Sequence, residues 1–235
     1  MNKLKGKVAL ITGASGDLGS EIAKEFAKEG VKHLILLSKT TEKLEKLDDE
    51  LLKFNIKTTL VPIDLKNFNC ISQLGEQIIK RFKCLDIFVA NAAILGSITP
   101  LVHTPLKDWT DVMEINFHSN WHLLKTLEPC LKISKAGRII FVTCDVAKKI
   151  TPYWSAYSIS KSSLEFMLKL YAAEQEGTSN IKANLINPGL IKTNIAKQAF
   201  PGKDPESFRK PNKITKKFIE LSLDSCLLNG ETIKA

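Results

Sequence analysis

Arginine is scarce in this sequence: Arg81, Arg138 and Arg209 are the only three, although the 235-residue chain carries a net charge of +9. Specific readers of nucleic acid favour guanidinium groups for bidentate contacts to bases and phosphates. A positive charge carried by lysines scattered over helix surfaces therefore points away from a nucleic-acid partner. No apolar run is long enough to span a bilayer, so no membrane is expected among the partners. Met1 to Lys7 leads directly into the apolar run at Val8, without the longer apolar stretch and small-residue cleavage site of a secretory signal. The expected location is cytoplasmic. Cysteines are few and odd in number: Cys70, Cys84, Cys130, Cys144 and Cys226 form no C-x-x-C pair and read as free thiols, not as a disulfide framework or a zinc site. His118 and His122 stand four apart, yet no glutamate follows the first and no third ligand is evident, so no metal is expected. Internal repeats and low-complexity tracts are also lacking.

What is present is an ordinary globular balance, 44% hydrophobic and 25% charged, in a length that suits one α/β domain over residues 1–235. Short aliphatic or β-branched runs alternate with amphipathic stretches along the whole chain. Strands are predicted at Lys7 to Thr12, His33 to Ser38, Thr58 to Pro62, Leu85 to Ala90, Arg138 to Thr143, Ile181 to Ile186 and Glu231 to Lys234. Helices are predicted at about Leu18 to Glu29, Thr41 to Phe54, Ile71 to Phe82, Leu106 to Ile133, Ala156 to Glu176 and Asn212 to Leu223. Continuous apolar runs such as Val8-Ala-Leu-Ile11 and Ile139-Ile-Phe-Val142 fit strands buried on both faces. The expected fold is α/β and doubly wound, a parallel seven-stranded sheet with helices on both faces. Residues 197–211 lack clear periodicity and hold three prolines and a glycine, which makes them a candidate substrate lid or a plain surface connection.

The first strand runs into Thr12-Gly-Ala-Ser-Gly-Asp-Leu-Gly19 and then a helix. That arrangement presents backbone N–H groups and a helix N-terminus to a pyrophosphate, making Gly13, Ser15, Gly16, Asp17, Leu18 and Gly19 candidate cofactor contacts. Asp17 is the discordant residue. A carboxylate facing a diphosphate repels it; turned outward, it caps the helix.

This turn resembles that of the short-chain dehydrogenase/reductase family, T-G-x-x-x-G-x-G, at Thr12, Gly13 and Gly19, with Asp17 at the middle glycine and Gly16 displaced by one. Further matches extend the resemblance over essentially the whole chain, to the bacterial-type, NADP(H)-dependent members with a Rossmann-type domain. By that resemblance Asp64-Leu65 contacts adenine, Asn91-Ala92-Ala93 follows the fourth strand, Asn116 is the catalytic asparagine supporting a proton-relay water, and Pro188-Gly189 with Thr193 holds the nicotinamide carboxamide. Tyr157-Ser-Ile-Ser-Lys161 places a phenol and an ammonium one helical turn apart on one face. A phenol exchanges protons near neutrality only when nearby positive charge stabilises its anion, so Lys161 and the oxidised nicotinamide are expected to lower the Tyr157 pKa. The family's catalytic serine, thirteen residues before the tyrosine, is Cys144 here, a weaker donor. Thr143 and Ser155 are nearby substitutes.

The second strand ends Leu37-Ser38-Lys39 without the acid that binds the ribose 2′-hydroxyl of NAD. NADP(H) is therefore expected in preference to NAD(H), with Ser15 and Lys39 as phosphate contacts and Ser38 a further cofactor-binding residue. The implied activity is hydride exchange between NADP(H) and a small carbonyl or alcohol substrate, in a homodimer or homotetramer. The alternative is a weakly active or inactive nucleotide-binding or regulatory protein on the same fold, favoured by Asp17 and Cys144. Apolar candidates for the substrate pocket are Ile94, Leu95, Tyr153, Trp154, Leu190 and Phe200.

Overall fold

A computed structural model describes residues 2–235. Seven parallel strands form one sheet in the order β3-β2-β1-β4-β5-β6-β7. They are β1 (Val8–Thr12), β2 (His33–Ser38), β3 (Lys57–Pro62), β4 (Ile87–Ala90), β5 (Arg138–Val142), β6 (Lys182–Asn187) and β7 (Thr232–Lys234). All five residues of β1 and all five of β5 are buried. The two-residue period of a strand divides them between two cores. Ala9, Ile11, Leu34, Leu36, Ile87 and Val89 face one, whereas Leu10, Ile35, Leu37, Phe88, Ile139 and Phe141 face the other.

Helices α1 (Asp17–Lys28), α2 (Thr41–Leu52) and α8 (Thr215–Ser222) seal the first core with Ile22, Phe26, Leu44 and Phe218. Helices α3 (Phe68–Phe82), α5 (Ser119–Ile133) and α6 (Ser155–Gln175) seal the second with Ile71, Ile78, Leu127 and Leu168. Each of these fully buried aliphatic or aromatic side chains contributes roughly 1.5–3 kcal/mol.

Two features depart from the sequence expectations. The helix predicted over Leu106 to Ile133 is α4 (Leu106–Met113), a π turn at Glu114–His118 and α5. The widened turn surrounds fully buried Asn116, whose carbonyl accepts a 2.8 Å bond from Asn120 Nδ2 and whose side chain bonds outside the helix. Such single π turns often mark positions that depart from regular helix bonding. Secondly, α7 (Asn194–Ala199) takes up the start of the segment predicted to be irregular, capped by Thr193 Oγ1 accepting from the Ala196 amide at 3.2 Å. The rest of that segment contains a 3-10 turn at Pro205–Ser207 and is tied back by Arg209, whose carbonyl accepts from the Lys192 amide.

In the sheet, β1 lies between β2 and β4, so the crossovers run in opposite directions from it and the loops after β1 and β4 part. Ligands of open α/β sheets bind in such a crevice at the carboxyl ends of the strands.

Candidate active site

A cleft of about 740 Å³ opens at this edge. The predicted residues Gly13, Ser15, Gly16, Asp17 and Leu18 line it from the turn after β1, and Ser38 and Lys39 from the end of β2. Asp64 and Leu65 line it after β3, Asn91, Ala92 and Ala93 after β4, Cys144 after β5, and Pro188, Gly189 and Thr193 after β6. Tyr157 and Lys161 reach it from α6. Gly19 and Asn116 do not line it.

Gly19 lies behind the turn: a Cβ there would stand 2.2 Å from the Gly13 carbonyl oxygen, so the close approach of helix to turn needs glycine. Gly13 has φ +60 and a Cβ on it would meet Ala92 Cα at 2.9 Å. The turn is fixed from the β4 side. Asn91 Nδ2 donates to the carbonyls of Thr12 and Gly13, each at 3.1 Å, and the amides of Asn91 and Ala92 donate to Thr12 Oγ1.

Asp17 follows neither sequence expectation alone. Gly16 is the N-cap of α1 and no side chain caps it, so the outward-facing cap is corrected. The Asp17 carboxylate instead accepts from the Asn194 amide at 2.7 Å, joining the glycine turn to the start of α7 while still lining the cleft.

At the end of β2 the Ser15 and Ser38 hydroxyls share a 2.7 Å bond, and Lys39 pairs with Asp64 at 2.8 Å. This pairing, with the Lys66 amide, holds the Asp64 carboxyl below its ordinary range. Lys43, in the first turn of α2, also lines the cleft. The sequence reading missed it; a lysine in the first turn of the helix that follows the second strand was the usable signal.

Asn116 lies beneath the cleft floor. Its Oδ1 accepts from the Ile94 amide and its Nδ2 donates to the Ile94 carbonyl, both at 2.9 Å, with a further 3.1 Å bond to Ser160 Oγ. With its amide and carbonyl both engaged, the side chain fixes the backbone that carries Ile94 into the cleft. It does not line the cleft itself.

Tyr157 and Lys161 are both buried, with the Lys161 ammonium 6.0 Å from the Tyr157 ring centroid and donating to the Val142 carbonyl at 2.9 Å. Burial pushes the Tyr157 hydroxyl well above its ordinary pKa, and the adjoining Cys144 thiol adds to the shift. The lowering expected from the sequence is for Tyr157 beside both Lys161 and a bound oxidised nicotinamide. Burial likewise lowers Lys161 and raises Cys144, the latter opposed by the charge of Lys161 and the Tyr157 hydroxyl. In the protein alone, burial and the neighbouring thiol act in the same direction on Tyr157, so the phenol holds its proton.

Neither hydroxyl considered as a substitute for the missing serine takes its place. Thr143 lines the cleft but donates to Glu165 Oε1 at 2.7 Å. Ser155 lies outside it, accepting from Thr104 Oγ1. Of the apolar candidates, Ile94, Trp154, Leu190 and Phe200 line the cleft, and Leu95 and Tyr153 do not. His118 and His122 belong to a separate surface hollow, where the His122 ring stacks on Phe68 at 4.3 Å.

Comparison with known proteins agrees with this geometry. The short chain dehydrogenase family profile matches residues 7–204. The oxidoreductase YciK of Escherichia coli is 32% identical over 228 residues, covering 94% of this chain and 88% of its own. The oxidoreductase UcpA of Salmonella typhimurium is 34% identical over 214 residues, covering 88% and 79%. Among solved structures, a Shigella flexneri chain described as a short chain dehydrogenase and complexed with NADP superposes with a TM-score of 0.93 at 30% identity, covering 99% of this chain and 98% of its own. An Escherichia coli chain of the same description, complexed with NADPH, gives 0.93 at 29% identity, with coverages of 99% and 98%.

Proposed function

Since the chain belongs to the short-chain dehydrogenase/reductase family, we propose that it is an NADP(H)-dependent oxidoreductase that interconverts a carbonyl compound and its alcohol, with Tyr157 as the proton donor. The observation that carries this reading is the convergence of Tyr157, Lys161 and the glycine turn on one cleft. The residues present fit the cofactor. The crowded Gly13 and Gly19 bring backbone close to a pyrophosphate, and Ser15, Ser38, Lys39 and Lys43 form a basic, hydroxyl-rich set suited to a 2′-phosphate. Bound there, NADP(H) supplies the hydride and, oxidised, a positive charge.

Asp64 and Leu65 border the adenine end, and Asn91 to Ala93 with Pro188, Gly189 and Thr193 border the nicotinamide end. Tyr157, kept protonated by burial, donates to the carbonyl oxygen during reduction. Lys161 steadies the resulting phenolate and holds the ribose, while Cys144 supplies a weak second donor to the same oxygen. Of the segment 197–211, Ala199 and Phe200 line the cleft, and it is read as a cover over the substrate end. Exposed Ile159, Phe166 and Leu170 on α6 and Trp121 on α5 support pairing with a second copy through these helices.

Calorimetric titration with NADPH and NADH, followed by a carbonyl panel, tests the reading. Preferential NADPH binding with turnover is expected, and Lys39→Asp should reverse the preference. Equal affinities would contradict the cofactor assignment. NADPH binding without turnover of any carbonyl would favour a regulatory nucleotide-binding protein.

A further inference from the structure

The ionisable side chains along the cleft are unevenly distributed. Lys39, Lys43 and Asp64 stand at the ends of β2 and β3, Asp17 at the glycine turn, and Lys161 is held against the Val142 carbonyl beside Tyr157. Beyond Tyr157 the charged group lining the cleft is a carboxylate, Asp145, tied to Asn187 Nδ2 at 2.9 Å and to Lys234 at 3.7 Å. The lining there is largely apolar, with Ile94, Trp154, Leu190, Ile195, Ala199 and Phe200, and its threonines are engaged, Thr143 donating to Glu165 and Thr193 accepting from the Ala196 amide. Trp154 connects the catalytic phenol to α7, its ring centroid 5.8 Å from that of Tyr157 and 5.8 Å from that of Phe200, tilted by 55° and 48°. Lys203 packs its ammonium over Phe200 at 5.0 Å but does not line the cleft.

We propose that this end of the cleft selects an uncharged, ring-bearing carbonyl compound and rejects carboxylate- or phosphate-bearing ones. The inference rests on the oxidoreductase reading for the placement of the carbonyl at Tyr157. An anionic substrate needs a cationic or multiply donating partner once its water is stripped, and an apolar wall with a carboxylate at its margin provides neither. A planar ring finds tilted aromatic faces and edges on Trp154 and Phe200, which favour ring–ring contact over contact with an aliphatic chain. The Cys144 thiol lies on the same side and is less polar than the hydroxyl it replaces.

The test uses probe pairs that differ only in charge: methyl para-formylbenzoate with para-formylbenzoate, and the matching ester and acid of a formylnaphthalene. Binding to the protein saturated with NADP⁺ is measured by calorimetry, and turnover with NADPH is measured separately. The esters should bind about tenfold or more tightly than their acids, and more tightly than cyclohexanecarbaldehyde. Leu190→Arg, at a partly exposed position, should improve acid binding at least about tenfold while keeping the parent's melting temperature. Acids binding as well as esters, no binding by either ester, or a folded Leu190→Arg without improved acid binding would each overturn the proposal. Selective ester binding without turnover would leave the pocket assignment standing and bring down the oxidoreductase reading instead.

Discussion

At the amino ends of the strands, buried charges are consumed by the backbone. Arg138 donates to the carbonyls of Gly137, Asn180, Leu223, Asp224 and Cys226. Asp86 accepts from the Val8 amide and from Ser134. At the carboxyl ends the groups are as deeply buried but less committed. Lys161, with three N–H donors, gives one to Val142 among the described residues, and Tyr157 faces a thiol. A buried charge whose hydrogen bonds are all made to the backbone fastens secondary structure together. A buried ionisable pair at the edge of a cleft, with a perturbed pKa, marks a candidate for chemistry.

Substitution at each end should give opposite phenotypes. Tyr157→Phe should lower turnover roughly a hundred- to ten-thousandfold while shifting the melting temperature by about 2 °C or less. Arg138→Met should orphan several buried carbonyls and cost roughly 3 kcal/mol or more of unfolding free energy, with NADPH affinity retained by the folded fraction. Urea denaturation and calorimetry on both variants would check the contrast, which fails if both lose stability equally.

A gain at the carboxyl edge would sharpen it further. Cys144→Ser restores a hydroxyl donor beside Tyr157, where Thr143 and Ser155 are otherwise engaged, so turnover should rise about tenfold. An unchanged rate would mean that the second donor does not limit the reaction.

Asp17 gives the smallest and most discriminating effects. Asp17→Gly removes a charge from the pyrophosphate turn and should tighten NADPH several-fold at low salt, less at high salt. It also releases the Asn194 amide, so α7 should loosen and KM for the carbonyl substrate rise. Asp17→Asn keeps an acceptor for Asn194 and should share only the first effect. Unchanged NADPH affinity in both variants would show the carboxylate to be remote from the diphosphate.

The strands were legible because burial on both faces leaves an unbroken apolar run, and the glycine turn and Tyr157–Lys161 pair because their spacing carries their geometry. Contacts made by the tertiary fold were not. The Asp17–Asn194 bond spans 177 positions. The π turn arises from Asn116 bonding to Ile94, and α7 is only six residues long with a cap, Thr193, read solely as a cofactor contact. The depth of burial of Tyr157 also escaped the sequence, since spacing shows the neighbouring lysine but not what covers the phenol.

Isotope transfer tests the central claim most directly. The protein is incubated with NADPH deuterated at the transferring carbon and with a carbonyl compound it turns over, and the alcohol is analysed by mass spectrometry. The account predicts one deuterium on the former carbonyl carbon, formed by the parent and at a rate at least about a hundredfold lower by Tyr157→Phe. Alcohol formed without deuterium, or labelled equally fast by Tyr157→Phe, would contradict it.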